Sequence, residues 1–372
     1  MKIFLIALGA FFFCLPVHAY DPVIIGEKVV LKSDILGEDR SYSVSLPDSY
    51  HDKTYSPQHY PVLYLLDGDM HFLTATGIIN HMSNPKNNGN MRIPEMIVVA
   101  ISTSKNRMRD LTPTNSLKDP SGKLVAGYST SGGGAQFLKF LEKELIPEID
   151  KKYRTRPLRT FVGHSLGGMT VLHSLLTQPG LFQNYIAIDS SLWWDGKIMN
   201  KWVKDFAPEN KNTTARVFIS TADHNASEGE SSGFVAMTVS NRFFAEWLQK
   251  SPSPDFITKS QIFPNQDHAS VPLLSLYYGL MFVFEDYKIP SEVFMGGHSE
   301  DLSRHYKSFS RQAGFRFLPP ESLVDRLANI GPEAFEYTDK MVQNFLELNV
   351  ENYPESAHAK KKLSEFLQRI KK

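Results

Sequence analysis

The run Leu158-Arg159-Thr160-Phe161-Val162-Gly163-His164-Ser165-Leu166-Gly167-Gly168 carries an apolar strand into G-x-S-x-G and straight on into a helix. No other feature constrains the fold as tightly. A strand-to-helix turn sharp enough to lift a serine hydroxyl above a parallel sheet leaves no room for side chains two residues before and two after the serine. Gly163 and Gly167 meet that need. Leu166, Met169, Leu172, Leu175 and Leu176 then recur at helical spacing until Pro179-Gly180 ends the run. The pattern marks Ser165 as a nucleophile, with the Leu166 backbone N–H at the helix N-terminus turned toward a developing oxyanion.

The flanking chain supplies the sheet such a turn requires. Tyr60–Leu66, Met96–Ser102, Arg159–Val162, Tyr185–Asp189 and Arg216–Ser220 are continuous apolar runs of strand length, as suits parallel strands buried on both faces. Val23–Lys32 and Arg40–Leu46, joined by a turn around Gly37, read as an antiparallel pair at one edge. Helical patterns at Phe137–Ile149, Leu166–Leu176, Phe234–Leu248 and Leu273–Phe284 alternate with the strands. The prediction is an α/β fold with a mostly parallel, doubly wound sheet, binding its ligand at the carboxyl ends of the strands. The irregular segment Ser104–Gly134 follows one of those ends, where long loops carry function.

A serine nucleophile needs a base, and on this architecture the chain order is Ser, acid, His. His268 stands in the loop between a strand ending near Phe263 and a helix starting near Val271, so it is the expected base. His173 lies two turns down the nucleophile helix, His224 falls where the acid is expected, and His298, His305 and His358 belong to the helical tail. Asp223, just after Arg216–Ser220, is the expected acid, with Glu228 and Glu230 in the same loop as alternatives. The second oxyanion N–H is expected from Leu66-Asp67-Gly68-Asp69-Met70-His71, at Asp69. A metal site from Asp67, Asp69 and His71 has no H-E-x-x-H pairing or cysteine cluster behind it, and no cofactor is expected.

Lys2, an apolar run from Ile3 to Leu15 and Val17-His18-Ala19 form a secretory signal peptide, cleaved after Ala19. The run is too short to span a bilayer. The protein is therefore expected in the periplasm or outside the cell. Cys14, the only cysteine, goes with that segment, so the exported enzyme should depend on its core alone. Forty basic residues balance forty acidic ones, which gives no sign of a nucleic-acid or membrane partner.

The stretches "YPVLYLLDGDMHF", "IPEMIVVAIS", "NRMRDLTPT", "SGGGAQFLKFLEKELIPEIDKKY", "FVGHSLGGMTVLHSLL", "DSSLWWD" and "DHASVPLLSLYYGL" resemble a known group of α/β-hydrolases. That group includes enterochelin esterases, esterase D and secreted feruloyl and acetyl-xylan esterases, and the likeness spans roughly Lys28 to Lys288. It implies Ser165 as nucleophile, His268 as base, the Asp69 and Leu166 amides as oxyanion hole, and Trp193 and Trp194 as a pocket wall. The loop "STADHNASEGE" departs from the family pattern at the acid. The expected activity is hydrolysis of carboxylic esters, whether siderophore, carbohydrate-acyl or small esters. An acyltransferase on the same scaffold and a non-catalytic binding protein are the rival readings.

Read from the residues alone, Trp193-Trp194 fits either an acyl or aromatic pocket or plain core. Arg107 and Arg109 fit either an anionic substrate group or ordinary pairing with Asp110 or Asp119. The expected division is 1–19 signal peptide, 20–290 catalytic domain and 291–372 helical extension. The tail resembles a subgroup whose extension is tetratricopeptide-like; it serves either as an appendage packed on the domain or as a module for a partner protein.

Overall fold

The structure, a computed structural model, describes residues 22–85, 90–207, 214–224, 232–250 and 256–371. The signal segment 1–19 with Cys14, and the alternative acids Glu228 and Glu230, lie outside the described residues.

The strands are β1 (Glu27–Ser33), β2 (Glu38–Ser45), β3 (Tyr60–Leu65), β4 (Ile97–Ile101), β5 (Thr155–His164), β6 (Asn184–Ile188), β7 (Ala215–Ala222) and β8 (Phe256–Phe263). They form one eight-stranded sheet in the order β1-β2-β4-β3-β5-β6-β7-β8. β1 and β2 pair antiparallel around Gly37, β2 pairs antiparallel with β4, and every other pairing is parallel. This is the expected α/β-hydrolase arrangement. Boundaries shift: β1 starts at Glu27 rather than Val23, because Val23 and Ile24 stand in solvent, and β5 runs Thr155–His164 rather than Arg159–Val162.

The continuous apolar runs are explained by two cores, one on each face of the sheet. Val62, Tyr64, Phe161, Tyr185, Ala187 and Val217 face one of them. Leu63, Leu65, Val162, Ile186, Ile188 and Phe218 face the other. Successive residues of a strand point to opposite faces, so a strand buried on both must be apolar throughout.

The first core is closed by α2 (Gly134–Phe140), a π-helical segment Leu141–Leu145, α3 (Ile146–Lys152), α4 (Leu166–Thr177) and α6 (Ser232–Gln249). α5 (Trp194–Trp202) lies beside them. The second core is closed by α1 (Gly68–Ser83), α7 (Val271–Val283) and the C-terminal helices. No helix was expected at α1. Its apolar stripe is blurred by Met70 and Leu73, which are exposed.

The extension comprises α8 (Ser291–Met295), α9 (Ser299–Ala313), α10 (Glu321–Phe335), α11 (Asp339–Asn352) and α12 (Ala357–Ile370). Leu302, Tyr306, Leu323, Leu327, Phe345 and Phe366 join the same apolar cluster as strand residues Leu63 and Val162. Polar contacts fasten the seam. Glu321, fully buried, accepts from the Ser56 backbone N–H at 2.8 Å and from Ser356 Oγ at 2.5 Å. Tyr55 and His358 both reach Asp325, at 3.2 and 3.3 Å.

Ending the chain at Pro290 would therefore bare an apolar surface on the order of several hundred Å² and leave the Ser56 N–H without its carboxylate. Such a truncated protein is expected to aggregate or to melt well below the full chain in a thermal scan. Equal melting and equal activity would show instead that the helices are an independent unit.

Candidate active site

β3, β5 and β6 are neighbours, and each is followed within two residues of its end by a non-glycine residue with positive φ: Asp67 (52°), Ser165 (62°) and Asp189 (42°). Each such residue costs about 1–3 kcal/mol, and strain of this kind gathers where chemistry is done. All three lie along the carboxyl edge of the sheet.

At Ser165 the backbone N–H donates to Ile188 O at 2.9 Å, and the carbonyl accepts from Ser191 and Met169 at 3.0 and 3.1 Å. A Cβ on Gly163 would lie 2.4 Å from the Gly167 backbone, which is why the turn requires glycine there. The Ser165 hydroxyl lies 3.1 Å from Ser191 Oγ. Leu166 opens α4 and Gly68-Asp69 opens α1, so both expected oxyanion amides belong to first turns, whose N–H groups have no partner within their helix. Gly68 brings that loop close, since a Cβ there would sit 2.5 Å from the Ala100 backbone.

Arg107 is placed differently from the expected substrate pocket. Its Nε and Nη2 each donate to Asp67 at 2.9 Å, and Nη2 also reaches His164 O at 3.3 Å. Thr103 donates to the same carboxylate. The guanidinium thus braces the oxyanion loop against the nucleophile strand, and Asp67 is committed to that brace rather than to a metal. Arg109 pairs with Glu38 and Asp110. Those contacts hold the Glu38 carboxyl down to about 2, chiefly through the Arg109 hydrogen bond.

His268 sits in the turn before α7, where Asp267 Oδ1 accepts from the Ala269 and Ser270 amides. Its Nδ1 lies 2.7 Å from Asp189 Oδ2, and its ring centre is 4.3 Å from that of His164, the residue preceding the nucleophile. The carboxylate on His268 is therefore Asp189, not Asp223. Asp223 is half-exposed, between buried Ala222 and His224, and its amide bonds to Phe263 O at 3.2 Å. The alternation of β7 carries past its end, so His224 turns inward and Asp223 outward.

Asp189 is fully buried. Burial pushes its carboxyl up, but hydrogen bonds from His224, His268 and Thr221 outweigh that and leave it well below the ordinary carboxylate range. A sequence signal for it existed. An aspartate closing a wholly apolar strand must be buried, and a buried carboxylate must have partners.

Trp194 is fully buried, with its Nε1–H directed at the Thr114 carbonyl and hydroxyl, both 3.2 Å away. It anchors the long Ser104–Gly134 loop instead of walling a pocket. Trp193, half-buried and two residues after Ser191, keeps its place as a pocket candidate.

With that geometry in view, residues 33–251 match the family described as "Putative esterase". The chain belongs to that family. It is 36% identical over 171 residues to the ferri-bacillibactin esterase BesA of Bacillus subtilis, a match covering 44% of this chain and 58% of the relative. It is 26% identical over 299 residues to the siderophore triacetylfusarinine C esterase of Aspergillus fumigatus, covering 72% of this chain and 95% of the relative. The solved structure of an IroE-like serine hydrolase from Shewanella oneidensis superposes with a TM-score of 0.74 at 29% identity, covering 88% of this chain and 99% of that one. The protein is an ester hydrolase.

Two deeply buried histidines, His164 beside Ser165 and His173 farther along α4, are kept neutral. Burial, helped by nearby His268, pushes His164 down to about 3, and burial pushes His173 down to about 4. Unfolded, both titrate near 6.5. Below that pH the unfolded chain binds protons the native state refuses, so stability drops as pH falls from 6.5 toward 4, by up to ~1.4 kcal/mol per unit for each histidine. Thermal melts across that window should show a decline that His173→Gln makes shallower. An unchanged slope in the variant would contradict the assignment.

Proposed function

We propose that the protein is an exported serine esterase in which Ser165, His268 and Asp189 act together on a siderophore-type ester. The observation that carries this reading is the 2.7 Å bond from His268 Nδ1 to Asp189, made while the imidazole lies 4.3 Å, centre to centre, from His164, the residue before Ser165. Rotation of the Ser165 hydroxyl away from Ser191 toward His268 Nε2 sets up the attack. His268 takes the serine proton as Oγ adds to the ester carbonyl, and the Leu166 and Asp69 amides receive the oxyanion. The same imidazole, now charged and steadied by Asp189, protonates the leaving alkoxide. Water then enters, gives its proton to His268 and releases the acid, and the proton returns to Ser165.

The substrate class is supported by the relatives, one named a ferri-bacillibactin esterase and another a siderophore triacetylfusarinine C esterase. Hydrolysis of a trilactone siderophore should exceed that of feruloyl, acetyl-sugar and p-nitrophenyl esters in kcat/KM. A preference for the sugar esters would overturn the class while leaving the chemistry in place. Export is supported by the N-terminal sequence pattern, and N-terminal sequencing of the exported protein should begin at Tyr20. We read the C-terminal helices as a structural support for the catalytic body, because they share its apolar cluster.

Ser165→Ala and His268→Ala should each lower turnover by about four to six orders of magnitude, with the double variant no worse. Asp189→Asn should lower kcat about 10³–10⁴-fold by favouring the wrong imidazole tautomer. Asp223→Asn should leave kcat close to that of the unsubstituted enzyme. The reverse ranking of the two aspartates, measured with one substrate under one set of conditions, would restore Asp223 as the acid.

A further inference from the structure

Asp189 is held by a second imidazole. His224 Nε2 lies 2.9 Å from Asp189 Oδ2 and 3.1 Å from Oδ1, with the His224 side chain wholly buried. Oδ1 also accepts from Thr221 Oγ1 at 2.6 Å and from the Ala222 amide at 3.3 Å. Oδ2 is shared by His224 and His268. The Phe234 ring lies against both imidazoles, 5.0 Å from His224 and 5.3 Å from His268 between centres.

We propose that His224 is a positioning residue of the ester-cleaving site: as an Nε2–H donor it fixes the Asp189 carboxylate so that Oδ2 accepts from His268. The proposal rests on the Ser165–His268–Asp189 reading above. Thr221 and the Ala222 amide restrain the Cβ–Cγ torsion through Oδ1 alone. His224 reaches both oxygens of Asp189, whose own backbone is left-handed, and adds a restraint on the Oδ2 side where His268 binds. The carboxylate offers about four lone-pair directions, and these donors fill them. The role also requires a donor that brings a hydrogen without a charge. A cation beside Asp189 would neutralise the carboxylate before the His268 imidazolium forms, and nothing would remain to steady it.

The test compares His224→Leu, His224→Gln and Ser165→Ala in the full chain with p-nitrophenyl acetate, after melting curves establish that each is folded. His224→Leu should lower kcat about 10- to 100-fold at unchanged KM, and His224→Gln, which keeps an N–H, should recover most of the loss. A folded leucine variant with the kcat of the unsubstituted enzyme would overturn the proposal. So would a folded glutamine variant as impaired as the leucine one. The unsubstituted protein provides a check that does not depend on any variant folding: its ¹H–¹⁵N imidazole spectrum should show His224 protonated at Nε2, and an unprotonated Nε2 would also overturn the role. Turnover by Ser165→Ala would sink the underlying serine mechanism instead, so the two failures are distinguishable.

Discussion

The positive-φ turns that follow β3, β5 and β6 govern the rest of this site. A parallel strand that continued straight past the sheet would carry its last side chains away from its neighbours. Turning the backbone at Asp67, Ser165 and Asp189 folds each chain back over the carboxyl edge, so residues far apart in sequence meet within hydrogen-bond range. None of the three is glycine, so each is strained, and each is tied down. Asp67 accepts from Arg107 and Thr103, Ser165 exchanges backbone bonds with Ile188 and Ser191, and the Asp189 amide donates to Ser220 O at 2.7 Å.

Those restraints have an electrostatic side. Two carboxylates are buried at the strand ends, and neither is left bare. Asp67 meets a full positive charge, whereas Asp189 meets three side-chain donors and a backbone amide. The difference suits their places. A permanent cation on Asp67 locks a scaffold element for good. Asp189 is held by two imidazoles, a hydroxyl and an amide, with no arginine or lysine among those partners.

Much of this was legible in the sequence. G-x-S-x-G foretold a tight strand-to-helix turn at Ser165, because the turn's steric demand writes itself into Gly163 and Gly167. His268 followed from chain order and from its place before α7. Chain order could not decide the acid, since loops after both β6 and β7 lie between Ser165 and His268. Asp189 looked like the last residue of an apolar strand, and only its buried position reveals that it needs partners. Arg107 and Trp194 stayed open between two readings for a related reason: a side chain suited to ligand binding is equally suited to bracing a loop, and sequence does not show which group it meets. α1 was missed because exposed Met70 and Leu73 break its stripe.

His164 shows how the surroundings bear on His268. It lies against His268 with tilted rings 4.3 Å apart and meets His71 edge-on at 5.9 Å. A charged ring there would oppose any positive charge on His268. Burial keeps His164 neutral down to about pH 3, so the neighbour nearest the base is a polarisable flat surface and not a competing cation. The same burial is unfavourable to folding in acid. The site therefore accepts a loss of stability at low pH in exchange for a neutral neighbour beside the His268–Asp189 pair.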